Sequence, residues 1–173
     1  MLEYQEKSRK IPIVEEADVI VCGGGPAGVA AAIAAARGGA KTRLIEAHGA
    51  LGGIWTTGLL CWILDCENKT GIMSEIISRL EERNVGYKGR GKNFIADIEQ
   101  MKILLEEMCL DAGVKIQLHT HVASAVVNEN NRLSMAITES KSGRQAWAGK
   151  IFIDATGDGD LAFQAGCSYE FGH

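Results

Sequence analysis

The hydrophobic pattern changes period several times along the chain, and each change predicts an element. Val19, Ile20, Val21 and Cys22 follow one another without a polar break, an apolar β-branched run of the kind buried in a parallel sheet. After three glycines, small residues take over. Ala30, Ala31, Ala32, Ala34, Ala35 and Ala36 predict a slim helix from Ala27 to about Arg37, suited to lying close against strands. Gly38 and Gly39 end it, and residues 41–46 predict a second strand that closes on Glu46. Ile72, Met73, Ile76, Ile77 and Leu80 recur at helical spacing over 72–83. Ile98, Met101, Leu105 and Met108 do the same within a helix read over 94–111, ended by Gly113. Between these helices the glycine-rich, basic stretch 84–93, with Lys88, Arg90 and Lys92, predicts an exposed loop.

From residue 114 the period falls to two. Val114, Ile116 and Leu118 alternate with Lys115, Gln117 and His119 as a half-buried strand. Runs at 122–127, 133–139 and 145–148 are separated by Asn128-Glu129-Asn130-Asn131 and Ser140-Lys141-Ser142-Gly143, which is turn chemistry between antiparallel strands. Residues 151–154 return to a buried run and lead into Ala155-Thr156-Gly157-Asp158. The expected fold class is α/β: a parallel sheet with helices on its faces and a β-meander crossover. Residues 1–16 read as a polar lead-in, with a β-leaning segment at 11–14, and residues 17–173 as one domain.

Composition narrows the function classes. A chain of 173 residues can bury a real core. Its formal net charge of −4, with no basic stripe, gives no reason to expect nucleic-acid binding. The N-terminal residues have no apolar signal-like core, and no apolar run reaches membrane-spanning length, so no membrane partner is expected. Five cysteines, odd in number and without a C-x-x-C pair, predict reduced thiols and a cytoplasmic location.

The candidate chemistry sits at Gly23-Gly24-Gly25-Pro26-Ala27-Gly28, a G-x-G-x-x-G fingerprint between the first strand and the alanine helix. Gly23 permits the tight turn out of the strand, Gly25 a close backbone approach to a pyrophosphate, and Gly28 close packing of helix on sheet. The helix N-terminus would face the phosphates. Glu46 stands where a ribose-binding carboxylate is expected, and its charge disfavours a 2′-phosphate. The ligand is therefore NAD or the ADP half of FAD. Residues 47–58 form a small-residue loop shaped to lie against something. Cys61 and Cys66 have the C-x4-C spacing of a redox pair, but the apolar Trp62-Ile63-Leu64 between them reads as packing. His119 and His121 share a strand face without a third ligand, so no metal is expected. Asp154, Asp158 and Asp160 read as capping and hydrogen-bonding groups.

The fingerprint, Glu46, the Leu51-Gly52-Gly53 loop and the meander running into Asp154-Ala155-Thr156-Gly157-Asp158 stand in the order of the glutathione-reductase-type flavoproteins, with their FAD-binding Rossmann-like domain. Within that superfamily, residues 154–162 are similar to the FAD-dependent oxidoreductases, and the resemblance covers roughly 17–170. It implies that Gly23, Gly25, Pro26, Ala27 and Gly28 hold the pyrophosphate and Glu46 the adenosine ribose. Gly52 and Gly53 would lie along the pyrophosphate and ribityl chain, with Trp55, Thr56 and Thr57 approaching the flavin edge. Val122 would meet adenine through its backbone, and Thr156, Gly157 and Asp158 would end the last strand beside the cofactor. The implied function is a flavin-dependent oxidoreductase with FAD as cofactor and a small-molecule substrate. Three other readings share these residues: an NAD-binding domain, a disulfide reductase using Cys61 and Cys66, and a truncated non-catalytic nucleotide module. No catalytic residue is assigned. Flavoproteins of this type carry a further substrate domain, so the chain is expected to be an N-terminal part of one. It would then have an exposed apolar face for that domain or for a second copy.

Overall fold

The computed structural model describes residues 2–170 and Gly172. Its main sheet has six strands in the order β6-β2-β1-β9-β8-β7. The first strand, β1 (Ile13–Cys22), is central and pairs in parallel with β2 (Thr42–Ile45) on one side and β9 (Gly143–Asp154) on the other. β6 (Lys115–Gln117) extends the parallel part beyond β2. β7 (His121–Val127) and β8 (Leu133–Ser140) continue it beyond β9 as antiparallel strands. The mixed α/β architecture and the meander follow the sequence pattern.

Alternation along β1 builds two cores. Val19 and Val21 face the side covered by α1 (Pro26–Arg37), α2 (Ile72–Glu82) and α3 (Ile98–Asp111). Leu80, Leu104, Leu105 and Met108 lose all their exposed surface there, each burial contributing roughly 1.5–3 kcal/mol. Ile20 and Cys22 face the other side, where Ala136 of β8, Trp147 of β9 and Leu161 of the short α4 (Asp160–Gln164) cover them. The three long helices therefore gather on one face, and the meander covers the second.

Four elements differ from the sequence pattern. β1 begins at Ile13, inside the stretch read as lead-in, because residues 13–17 pair with 146–149 of β9. β9 is one strand of 12 residues where two were expected. Gly149 reads as a break, yet its role is close approach: a Cβ there would meet Ile20 at 3.0 Å and Phe152 at 3.1 Å. Residues 84–93, read as loop, contain β4 (Gly86–Lys88), which pairs with β5 (Phe94–Ala96) and through it joins β3 (Trp62–Ile63) in a small antiparallel sheet. Phe94 falls on the helical period of Ile98, Met101 and Leu105, which extends the helix on paper. Asp97 stops it, with an extended backbone and a side chain that accepts the Gln100 N–H at 2.9 Å.

Candidate functional site

The C-terminal ends of β1 and β9 lie side by side, where the connections leave in opposite directions, the position at which open α/β sheets bind ligands. Gly23 leaves β1 with φ +100° and donates its N–H to the Ile45 carbonyl at 2.7 Å. A Cβ on it would lie 2.1 Å from the Ala155 carbonyl oxygen. Gly28 has the same steric reason, since its Cβ would lie 1.8 Å from the Gly23 oxygen, so helix and turn touch through bare backbone. Gly25 is different. Its φ of −67° suits any residue and a Cβ would meet nothing within 4 Å. The space there is open, and α1 starts beside it with Pro26 in the first turn and no side-chain cap. First-turn N–H groups, including those of Ala27 and Gly28, have no partner within a helix and are suited to an anion.

A second loop forms the other wall. Gly52, at φ +107°, donates its N–H to the Gly24 carbonyl at 2.7 Å, and a Cβ on Gly53 would come within 3.0 Å of the Gly25 Cα. The side chains that follow turn inward or back on the loop. Thr56 is fully buried and donates its hydroxyl to the Leu51 carbonyl at 2.6 Å. Trp55 belongs to the core, and the exposed Thr57 donates to the Gly53 carbonyl at 3.0 Å. Trp55 and Thr56 thus brace the loop from behind, and what the loop presents is main chain and Thr57.

β2 stops at Ile45, one residue short of the strand the sequence predicts, and Glu46 directly follows it, buried and already engaged. One oxygen accepts the Gly24 N–H at 2.5 Å; the other accepts the His48 N–H at 2.7 Å and meets His48 Nδ1 at 2.8 Å. Gly24, the variable position of the fingerprint, was not singled out in the sequence, yet its Cβ would lie 2.7 Å from Leu51 and 3.0 Å from Glu46. Three glycines in a row were the available signal. The Glu46 carbonyl accepts the Thr120 N–H at 2.9 Å, which brings the start of β7, and so Val122, to the carboxylate's end of the sheet. Val122 is half-buried against the second core.

Asp154 ties the last strand end together. It accepts the Thr156 N–H at 3.1 Å, the Thr156 hydroxyl at 2.7 Å and the Ala162 N–H at 2.8 Å. Thr156 in turn accepts the Asp160 N–H at 2.8 Å. Gly157, at φ +97°, and the exposed Asp158 form the crest of this turn, with open space around Gly157. The donor set therefore suits a dinucleotide: a glycine cradle at a helix N-terminus, a carboxylate at the second strand's end, and main-chain turns on the same sheet edge.

Cys61 and Cys66 are both free thiols. Cys61 is buried in the core, and burial pushes its thiol up to about 11, the opposite of the low value a redox thiolate needs. Burial also raises Cys66, whose Sγ donates to the Lys92 carbonyl at 3.4 Å. Among the described residues no group of three or more His, Cys, Asp or Glu could hold a metal ion, and no helix is long and apolar enough to cross a membrane.

Comparison with known proteins decides between the dinucleotides. The family model described as FAD dependent oxidoreductase matches residues 18–173. The chain belongs to the FAD-dependent oxidoreductase family. FAD is accordingly the cofactor of this domain. A thiamine thiazole synthase of Methanococcus aeolicus is 30% identical over 152 residues, which are 82% of this chain and 55% of the relative. The crystal structure of THI4 from Thermovibrio ammonificans superposes with a TM-score of 0.66 at 19% identity, covering 86% of this chain and 61% of that one. A geranylgeranyl bacteriochlorophyll reductase-like protein from Thermoplasma acidophilum gives a TM-score of 0.68 at 21% identity, covering 89% and 43%. These structures carry the fold. The chain spans 55% and 58% of the length of two archaeal thiazole synthases it matches.

Proposed function

We propose that this chain is the cofactor-binding part of a flavoenzyme that oxidises or reduces a small molecule. The observation that carries the reading is the open cradle at Gly25, walled by Gly53 and facing the uncapped start of α1. FAD, when bound, supplies the redox chemistry of its flavin ring, and the protein supplies binding and orientation. Gly23, Gly25, Pro26, Ala27 and Gly28 hold the pyrophosphate, the helix start meeting its charge. Glu46 takes the adenosine ribose and the Val122 backbone the adenine. Gly52, Gly53 and the turn of Thr156, Gly157 and Asp158 line the ribityl side, with Thr57 on the loop nearest the flavin edge. The likeness to thiazole synthases lies within this binding part, so it does not name the substrate.

Ile54, Leu59, Leu60, Trp62 and Leu64 are exposed in the segment that follows the Gly52-Gly53 loop. A run of apolar side chains of this kind is suited to a covering surface, and the reading assigns it to a substrate domain or a second copy. The odd count of cysteines, three of them buried singly, favours a reducing cytoplasmic setting. Titration of FAD into the purified protein, followed by visible absorbance and flavin fluorescence polarisation, tests the function. Saturable binding that excess NAD does not displace is expected. Binding of NAD in preference to FAD would overturn it.

A further inference from the structure

Glu46 is buried and both its oxygens already accept hydrogen bonds, so a ribose hydroxyl can use only the lone pair still free. The two oxygens are not equivalent. Oε2 is held by one main-chain donor, the Gly24 N–H, in the turn where the cofactor enters. Oε1 is held twice from within its own loop, by the N–H and by Nδ1 of His48. Against a carboxylate, Nδ1 must carry the proton, so this contact is N–H donating to oxygen. The loop is itself anchored: Glu46 N–H donates to the Gln117 carbonyl at 2.8 Å and His119 N–H to the His48 carbonyl at 3.0 Å. Gly49 lets the His119 ring close in, since a Cβ there would meet the ring at 2.6 Å. The His48 backbone is thus fixed from outside, while its side chain stays largely exposed, 64%. Nothing in the core packing requires an imidazole there, so its place against Glu46 is the feature to explain.

We propose that His48 is a positioning residue for the cofactor carboxylate. It clamps Oε1, so that Oε2, which accepts only the Gly24 N–H and has a second lone pair, is presented to a ribose hydroxyl of the bound dinucleotide. This rests on the assignment of Glu46 to the ribose. Without the imidazole, the carboxylate keeps one main-chain donor on each oxygen and can rotate between them, and part of the ligand's binding energy goes into fixing it.

The test uses the whole 173-residue chain, with FAD and, separately, ADP as probes, and dissociation constants from calorimetry. His48→Ala is expected to weaken both ligands about five- to tenfold, the scale of one hydrogen bond to a charged group at a largely exposed position. His48→Asn, which keeps a side-chain N–H donor, should recover most of the loss. In a Glu46→Ala background, His48→Ala should change nothing further. Long-range ¹H–¹⁵N spectra should show the neutral His48 ring protonated at Nδ1 in the parent and shifted toward Nε2 in Glu46→Ala. Undiminished affinity in His48→Ala, or an equal loss with and without Glu46, overturns the clamp and leaves FAD binding intact. A parent chain that binds neither FAD nor ADP overturns the dinucleotide assignment and the clamp with it.

Discussion

Gly25 and Gly28 stand three residues apart in one motif, and the structure predicts opposite consequences for the same substitution. In Gly28→Ala the new methyl would sit 1.8 Å from the Gly23 carbonyl oxygen and 3.2 Å from the Ala155 side chain. Backbone cannot yield as a side-chain tip can, so α1 must lift from the turn. Overpacking of this kind costs about 1–3 kcal/mol, which lowers Tm by roughly 2–12 °C for a domain of this size. In Gly25→Ala the methyl meets nothing, and φ of −67° is unstrained. The poorer helix cap, about 0.5–1.5 kcal/mol, is largely offset by the lower entropy of the unfolded chain, about 0.4–1 kcal/mol. Tm should therefore stay within a few degrees. The same methyl fills the cradle and holds the pyrophosphate off the α1 N–H groups. Losing one or two charge-assisted hydrogen bonds at about 1.5–3 kcal/mol each weakens FAD tenfold or more. Thermal melts and FAD titrations of both variants decide the matter. Parent affinity in Gly25→Ala would refute the cradle, and an unshifted Tm in Gly28→Ala would refute the steric account of the motif.

Glu46→Ala should weaken FAD by about 1–3 kcal/mol, the scale for a hydrogen bond to a carboxylate, measured by the same titration; parent affinity would move the ribose elsewhere. Thiol labelling of the native protein at pH 8 should reach the exposed Cys167 first and spare Cys22, Cys61 and Cys109, whose thiols burial pushes up to about 12, 11 and 12; early labelling of Cys61 would revive the disulfide-reductase reading. At Glu15 burial opposes the charge, but hydrogen bonds from Arg43 and Lys115 outweigh it and hold the carboxyl below its usual range. Its contribution is therefore fully present above the ordinary Glu pKa and lost as pH falls through the lowered one. Glu15→Gln should flatten that acid limb of a stability-against-pH curve, and an unchanged limb would count against the pairing.

The glycine motif was legible because Gly23 and Gly28 answer local steric demands, the turn and the helix contact, while Gly25 stands between them with no clash of its own. The strands of the parallel sheet were legible for a similar reason: two-sided burial writes an unbroken apolar run. The small sheet was not, since β3, β4 and β5 have two or three residues each and too few positions to reveal a period. Phe94 satisfied both a helical stripe and a buried strand position, and only the Asp97 cap separates the two. The inward turn of Trp55 and Thr56 was illegible for a different reason. It depends on where the Leu51 carbonyl lies, which is set by how the loop docks on Gly24 rather than by its own residues.

That docking bears on where specificity resides. Around the cradle the polar side chains already have work within the fold: Thr56 holds the Leu51 carbonyl, Asp154 and Thr156 hold the start of α4, and Glu46 and His48 hold each other. A dinucleotide entering this edge therefore meets chiefly main-chain N–H groups and glycine Cα atoms. Main chain recognises what every dinucleotide shares, a pyrophosphate and an extended shape, and in the proposed reading Glu46 adds the one contact that depends on the adenosine ribose. Such a surface suits one cofactor across many reactions, because changing a side chain on the loops alters their position before it alters their chemistry. On that reading, discrimination between substrates comes from groups that approach the flavin from outside these loops. Ile54, Leu59, Leu60, Trp62 and Leu64 are exposed in the segment after the Gly52-Gly53 loop, and the proposed reading gives them to such a partner.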